Sequence, residues 1–106
     1  MLPVYSAPLW EAAGFSGDFG IVPAAGLVLI ARELYVTQTT IVPVTFNWTG
    51  NAGEVLFGDT LSTSGDTWSI WERHIVVVPG GQLALHTSPP GANVDVAVYG
   101  YKLTNP

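Results

Sequence analysis

The stretch Trp71–Leu103, WERHIVVVPGGQLALHTSPPGANVDVAVYGYKL, decides the fold class. Its apolar runs are cut by Val78-Pro79-Gly80-Gly81 and by Ser88-Pro89-Pro90-Gly91-Ala92-Asn93. Both cuts are turn chemistry, because proline presets φ and glycine reaches the positive φ that a tight reversal needs. The runs between them are β-branched and alternating, the pattern of strands meeting in an antiparallel sheet. Val94, Val96 and Val98 share one face of the last run. Beyond Gly100 the large residues Tyr101 and Leu103 take the opposite parity, which predicts a bulge at Gly100 that returns them to the face of the valines. Few side chains in this stretch can do chemistry, so it points to a protein that acts by shape and surface.

The same grammar extends toward the N-terminus. Ile21-Val22-Pro23-Ala24-Ala25-Gly26 is a turn into a long strand over 27–38. There Val28, Ile30, Leu34 and Val36 share one face with Arg32 among them, and Leu29, Ala31, Glu33, Tyr35 and Thr37 take the other. Apolar residues on both faces predict a strand covered on both sides. Further strands are expected over 42–49 (Pro43 near the start), 54–57, 67–78, 82–87 and 93–103, with 58–66 a polar loop. No segment holds a helical period. Short strands at regular turn spacing give an all-β fold, an antiparallel β-sandwich of jelly-roll-like character spanning residues 21–106.

Residues 1–20 differ. Pro3, Pro8, Gly14, Gly17 and Gly20 are scattered among Tyr5, Trp10, Phe15 and Phe19, with no sustained period. Such a segment is either an irregular leader that packs on the sheet and adds an edge strand, or an arm that docks on a partner. Aromatic anchors suit docking because they bury large area at low entropic cost. The arm makes Tyr5, Trp10, Phe15 and Phe19 the partner-binding residues. It also predicts that removing residues 1–14 leaves a folded protein that no longer binds.

Composition narrows the function. A chain of 106 residues is one domain with room for a core. It has no cysteine, which excludes disulfides and thiolate metal sites and fits assembly in a reducing cytoplasm. Only 10% of residues are charged and the net charge is −5, with Arg32, Arg73 and Lys102 the fixed cations. That balance argues against a nucleic-acid partner. Hydrophobic content is 48%, yet no run approaches the roughly 18 apolar residues that span a bilayer, so membrane insertion is not expected. Met1-Leu2-Pro3-Val4-Tyr5 lacks the basic and apolar regions of a secretory signal. A chain this apolar and this poor in charge is expected to be covered by other subunits, as a homo-oligomer or part of a larger assembly.

Catalysis is not expected. His74 and His86 lie outside any nucleophile elbow, no G-x-S-x-G occurs, and strand positions favour solvated or interface imidazoles. Gly58–Asp66 offers oxygens but lacks the alternating acids and terminal Glu of a calcium loop, so neither a metal nor a cofactor is expected. Arg32-Glu33 and Glu72-Arg73 read as local or cross-strand ion pairs that fix register. Trp68 and Trp71 differ in parity, so one should be core and the other exposed. A saccharide could stack on Trp48 beside Asn47, or on Tyr99 or Tyr101, with Trp48 and Tyr101 the platform residues of the alternative function.

With the strands placed, the ordered set Val22-Pro23-Ala24-Ala25-Gly26, Ile30–Val36, Trp71-Glu72-Arg73, Val78-Pro79-Gly80-Gly81-Gln82-Leu83 and Val94–Leu103 resembles small β-sandwich proteins encoded among tailed-bacteriophage virion genes. The resemblance implies a structural virion protein, often trimeric, assembled in the host cytoplasm. It implies a capsid decoration protein that binds the major capsid protein and bridges shell subunits. The alternatives are a minor tail protein contacting tail proteins, or a carbohydrate-binding module contacting a host glycan.

Overall fold

In the computed structural model, residues 7–104 are described and Tyr5 lies outside them. Nine strands follow in order: β1 (Ala7–Phe15), β2 (Asp18–Ile21), β3 (Leu27–Gln38), β4 (Val44–Thr49), β5 (Val55–Leu61), β6 (Thr67–Ile70), β7 (Ile75–Val77), β8 (Leu83–Ser88) and β9 (Val94–Thr104). They form two antiparallel sheets packed face to face. One runs β1-β9-β3-β6, with β7 also on β3, and the other β2-β8-β4-β5. The pairs nest: β1 with β9, β2 with β8, β3 with β6 and β7, and β4 with β5. No helix among the described residues is long and apolar enough to cross a membrane.

Period-2 alternation fills the space between the sheets. Val44, Phe46 and Trp48 of β4, Leu83 and Leu85 of β8, and Val94, Val96 and Val98 of β9 all join one core. Burying each such side chain is worth about 1.5–3 kcal/mol. One polar residue is sealed at the edge of this core. Gln38 donates from Nε2 to the carbonyls of Val42 (2.6 Å) and Leu61 (3.1 Å), and its Oε1 accepts from the Thr40 amide (2.9 Å) and hydroxyl (2.8 Å). Full satisfaction is what makes its burial tolerable.

Of the two expectations for the N-terminal segment, its described residues follow the edge strand. β1 pairs with β9 from Ala7↔Gly100 to Phe15↔Val94, and β2 pairs with β8. Its period was hidden by two register shifts, between Pro8 and Trp10 and between Ala12 and Phe15, the second holding Gly14 at φ 64°. Each shift inserts one residue, so Trp10, Ala12 and Phe15 can share a face although their spacing is not even. Trp10 and Phe15 pack on the core. A strand that covers β9 is part of the fold, so the expectation that residues 1–14 can be removed without harm does not fit it.

The bulge near Gly100 is also on the other strand. Ala31 pairs with Gly100 and Glu33 with Tyr99, which leaves Arg32 as the extra residue of β3. The core face of β3 therefore changes parity there, from Leu29 and Ala31 to Leu34 and Val36. Gly100 continues the inward series of the valines, and Tyr101 and Leu103 do not return to it. A Cβ at Gly100 would run into the carbonyl oxygen of Ile30, so this close approach of β9 to β3 demands glycine.

Two other expected segments differ. The strand at 54–57 continues through Gly58–Leu61, because Asp59 and Thr60 find partners in Phe46 and Thr45. Tertiary pairing overrides the weak strand propensity of those residues. The expected strand 67–78 is broken into β6 and β7, and both halves pair with β3.

Candidate functional site

The break between β6 and β7 lies opposite the β3 bulge. Trp71–His74 leave the sheet there, and Glu72 takes φ 60°, the only left-handed non-glycine among the described residues. A conformation of that kind costs on the order of 1–3 kcal/mol, and such strain gathers at functional positions. The Arg73 amide donates to the Arg32 carbonyl (3.2 Å), which fastens the excursion to the bulge. The result is that the Trp71 side chain stands out of the sheet, 60% exposed.

Trp71 forms one wall of a groove of about 390 Å³ lined also by Arg32, Glu33, Tyr35 and Glu72. It also lines a second cleft of about 300 Å³ with Ser69, Ile70 and Arg73. Inside the first groove the Tyr35 hydroxyl donates to Glu33 Oε1 at 2.7 Å. That bond, with some burial and the Glu33 charge, raises the Tyr35 phenol above its ordinary value. The Tyr35 ring is braced edge-on by Tyr99, centroids 5.9 Å apart. Arg32 Nε is shielded from solvent and has no hydrogen-bond partner, which is unusual for a buried charged donor. Neither Arg32-Glu33 nor Glu72-Arg73 closes as an ion pair. Among the described residues the one ion-pair contact is His86 with Asp18.

The residues expected to form sites are placed as follows. Trp48 is fully buried and cannot offer a ring face to a saccharide. Alternation in β4 turns it inward with Phe46, a direction its neighbour Asn47 does not share. Tyr101 is half-buried on β9, opposite Ile30. Trp10 stacks on Phe19 (4.6 Å), meets Phe15 edge-on (5.2 Å) and approaches Trp48 (6.4 Å), so these aromatics are occupied within the chain. Phe19 keeps an exposed portion. Trp68 and Trp71 do divide as their parity suggested: Trp68 packs edge-on against Phe46 at 5.2 Å, and Trp71 is outside. The sequence does carry a signal for the groove. Two of the three fixed cations, Arg32 and Arg73, flank it, and Trp71-Glu72-Arg73-His74 interrupts a β-branched run.

A second polar arrangement crosses the other sheet. Asp18 Oδ1 lies 2.9 Å from His86 Nδ1, and His86 Nε2 lies 3.0 Å from Thr49 Oγ1. A carboxylate only accepts, so a neutral His86 donates from Nδ1 and receives the Thr49 proton at Nε2. This is the order of groups in a nucleophilic triad. Thr49, however, is 7% exposed, and β4 and β8 are each paired on both sides, committing nearby amides to the ladder. The row ties β2, β8 and β4 together. His74 lies elsewhere, in a groove of about 350 Å³ with Glu54, Leu56, Phe57 and Ile75. Among the described residues no three His, Asp or Glu side chains converge as a metal site.

The end of the sandwich where the β4–β5 hairpin meets β7 carries polar and apolar groups together. Asn51, in the β4–β5 hairpin, donates from Nδ2 to the Val76 carbonyl (2.8 Å) and accepts at Oδ1 from the Val78 amide (3.1 Å). The stitch joins the two sheets and sets exposed Val76 and Val78 beside the hairpin that carries Val55, 67% exposed. No protein-family model, curated protein or solved structure matches the chain.

Proposed function

We propose that this chain is a structural virion protein that decorates the outer shell of a tailed-bacteriophage capsid. In this reading it associates as a homotrimer and bridges neighbouring major capsid protein subunits, without catalysis and without a cofactor. The observation that carries the proposal is the set of large apolar side chains left exposed, Val55, Val76 and Val78 among them, on a chain with only 10% charged residues. Exposed apolar area of this kind is covered by protein contact. The nested strand pairs support the jelly-roll character expected from the sequence, an architecture shared by capsid and lectin domains. Fold alone is a weaker argument than surface, and the motif resemblance over residues 21–103 supplies the virion context.

The mechanism needs only rigidity and area. A decoration subunit that spans a seam adds buried surface on both sides of it, and the pressure that would open the seam must then break those contacts too. A sandwich whose first and last strands pair along their length, as β1 and β9 do, transmits load without fraying at its ends.

Two measurements test the proposal. Light scattering of the purified chain is expected to give a trimer mass. Sedimentation with capsids assembled without the chain is expected to bring it down with the shells, and Val76→Asp with Val55→Asp to leave it in the supernatant. Sedimentation with isolated tails but not with shells would replace decoration by a minor tail role. No association with either would overturn the virion reading.

A further inference from the structure

We propose that the groove beside Trp71 is a binding site for a neutral saccharide, with the Trp71 ring as the stacking platform. The inference stands apart from the virion role, since it rests on the groove beside Trp71 and not on the exposed valines.

The chemistry of the lining selects the ligand class. A pyranose presents a face of C–H groups and an edge of hydroxyls, each both donor and acceptor. It needs one flat apolar wall and a rim of mixed polar groups. Trp71 supplies the wall, exposed over 60% of its surface. Arg32 brings guanidinium donors, Glu33 and Glu72 bring acceptors, and the Tyr35 hydroxyl, its hydrogen bond donated to Glu33, keeps its oxygen as an acceptor. At about 390 Å³ the groove is in the range of small-ligand sites, roughly 300–1,000 Å³.

Charge argues for neutrality. The groove holds one guanidinium and two carboxylates, on a chain of net charge −5, so an anionic ligand is repelled. A cation would meet Arg32 in the groove and Arg73 on the other side of Trp71.

The lining is also built in advance. Tyr35 holds Glu33 through a 2.7 Å hydrogen bond, Tyr99 braces Tyr35, and the Arg73 amide pins the backbone at Arg32. The left-handed Glu72 turns the chain immediately after Trp71. The left-handed Glu72 that lines the groove is a cost to stability that a ligand-binding role accounts for.

The test uses the whole purified chain. Saturation-transfer NMR with methyl glycosides of glucose, galactose and mannose, and a printed array of neutral and sialylated oligosaccharides, serve as probes. At least one neutral probe is expected to bind, with a change in tryptophan fluorescence from Trp71. Trp71→Ala is expected to weaken that binding about tenfold or more, and Trp71→Phe to recover part of it. Both variants should keep the wild-type circular dichroism spectrum and melting temperature. Binding of no neutral probe, binding confined to sialylated glycans, or undiminished binding by a folded Trp71→Ala variant would each overturn the proposal.

Discussion

Trp48, inside β4, and Trp71, just past the end of β6, are the same residue type and meet opposite fates. Trp48 lies in an unbroken strand flanked by β8 and β5, where alternation turns it into the core and closure of the sandwich seals it. Trp71 follows the last residue of β6, where the strand stops opposite an extra residue in β3 and the side chain is carried outside. A place between two strands makes a tryptophan structural, even beside the register shift that follows Trp48. A place past the end of a strand leaves one exposed.

The largest effect that can break this comparison is at the buried ring. Trp48→Ala removes the largest fully buried side chain and is expected to cost about 3–5 kcal/mol, measured by denaturant unfolding. A loss below about 1 kcal/mol would mean that the core does not depend on it. Next comes Gly100→Ala, which drives a methyl group toward the Ile30 carbonyl beside the bulge. Its expected cost is about 1–3 kcal/mol, and the strain should spread to the Arg32 bulge and disturb Trp71 fluorescence. Trp71→Ala should change stability by no more than about 0.5 kcal/mol, as suits an exposed side chain. A large destabilisation there would return Trp71 to the structural class.

The smallest effect is on pH dependence. The Tyr35 phenol is raised in the folded state by its bond to Glu33, so its contribution to stability is whole below the ordinary tyrosine value and is lost as pH rises through the folded one. Tyr35→Phe should therefore flatten the decline of the melting temperature above about pH 10. An unchanged decline would mean that the Tyr35–Glu33 bond is not maintained in solution.

Much of this division can be traced back to residues. The Pro-Gly turns and the parity of Val94, Val96 and Val98 announced an antiparallel sandwich, and the limits of β3 fell where Gly26 and Thr39 put them. Parity arguments failed wherever an extra residue entered a strand. One insertion in β3 moved the bulge from Gly100 to Arg32, and two in β1 made a strand look like an arm. A bulge is a property of a pair of strands, so a single strand read by itself does not reveal which member carries it. The groove was hidden for the same reason. Arg32 and Trp71 are 39 positions apart by number and come together only through the pairing of β3 with β6 and β7. Trp48 looked like a platform because Asn47 stands beside it in sequence, whereas in a strand adjacent residues face opposite ways.

The central claim is that the chain works as a bridging subunit on the capsid exterior. Electron cryomicroscopy of the phage particles that carry it, at a resolution that shows strands, tests this most directly. The account predicts nine-stranded sandwiches in trimers on the outer surface of the shell, with Val55, Val76 and Val78 buried against a neighbouring subunit. Density for the chain on the tail alone, or particles that carry none of it, would contradict the claim.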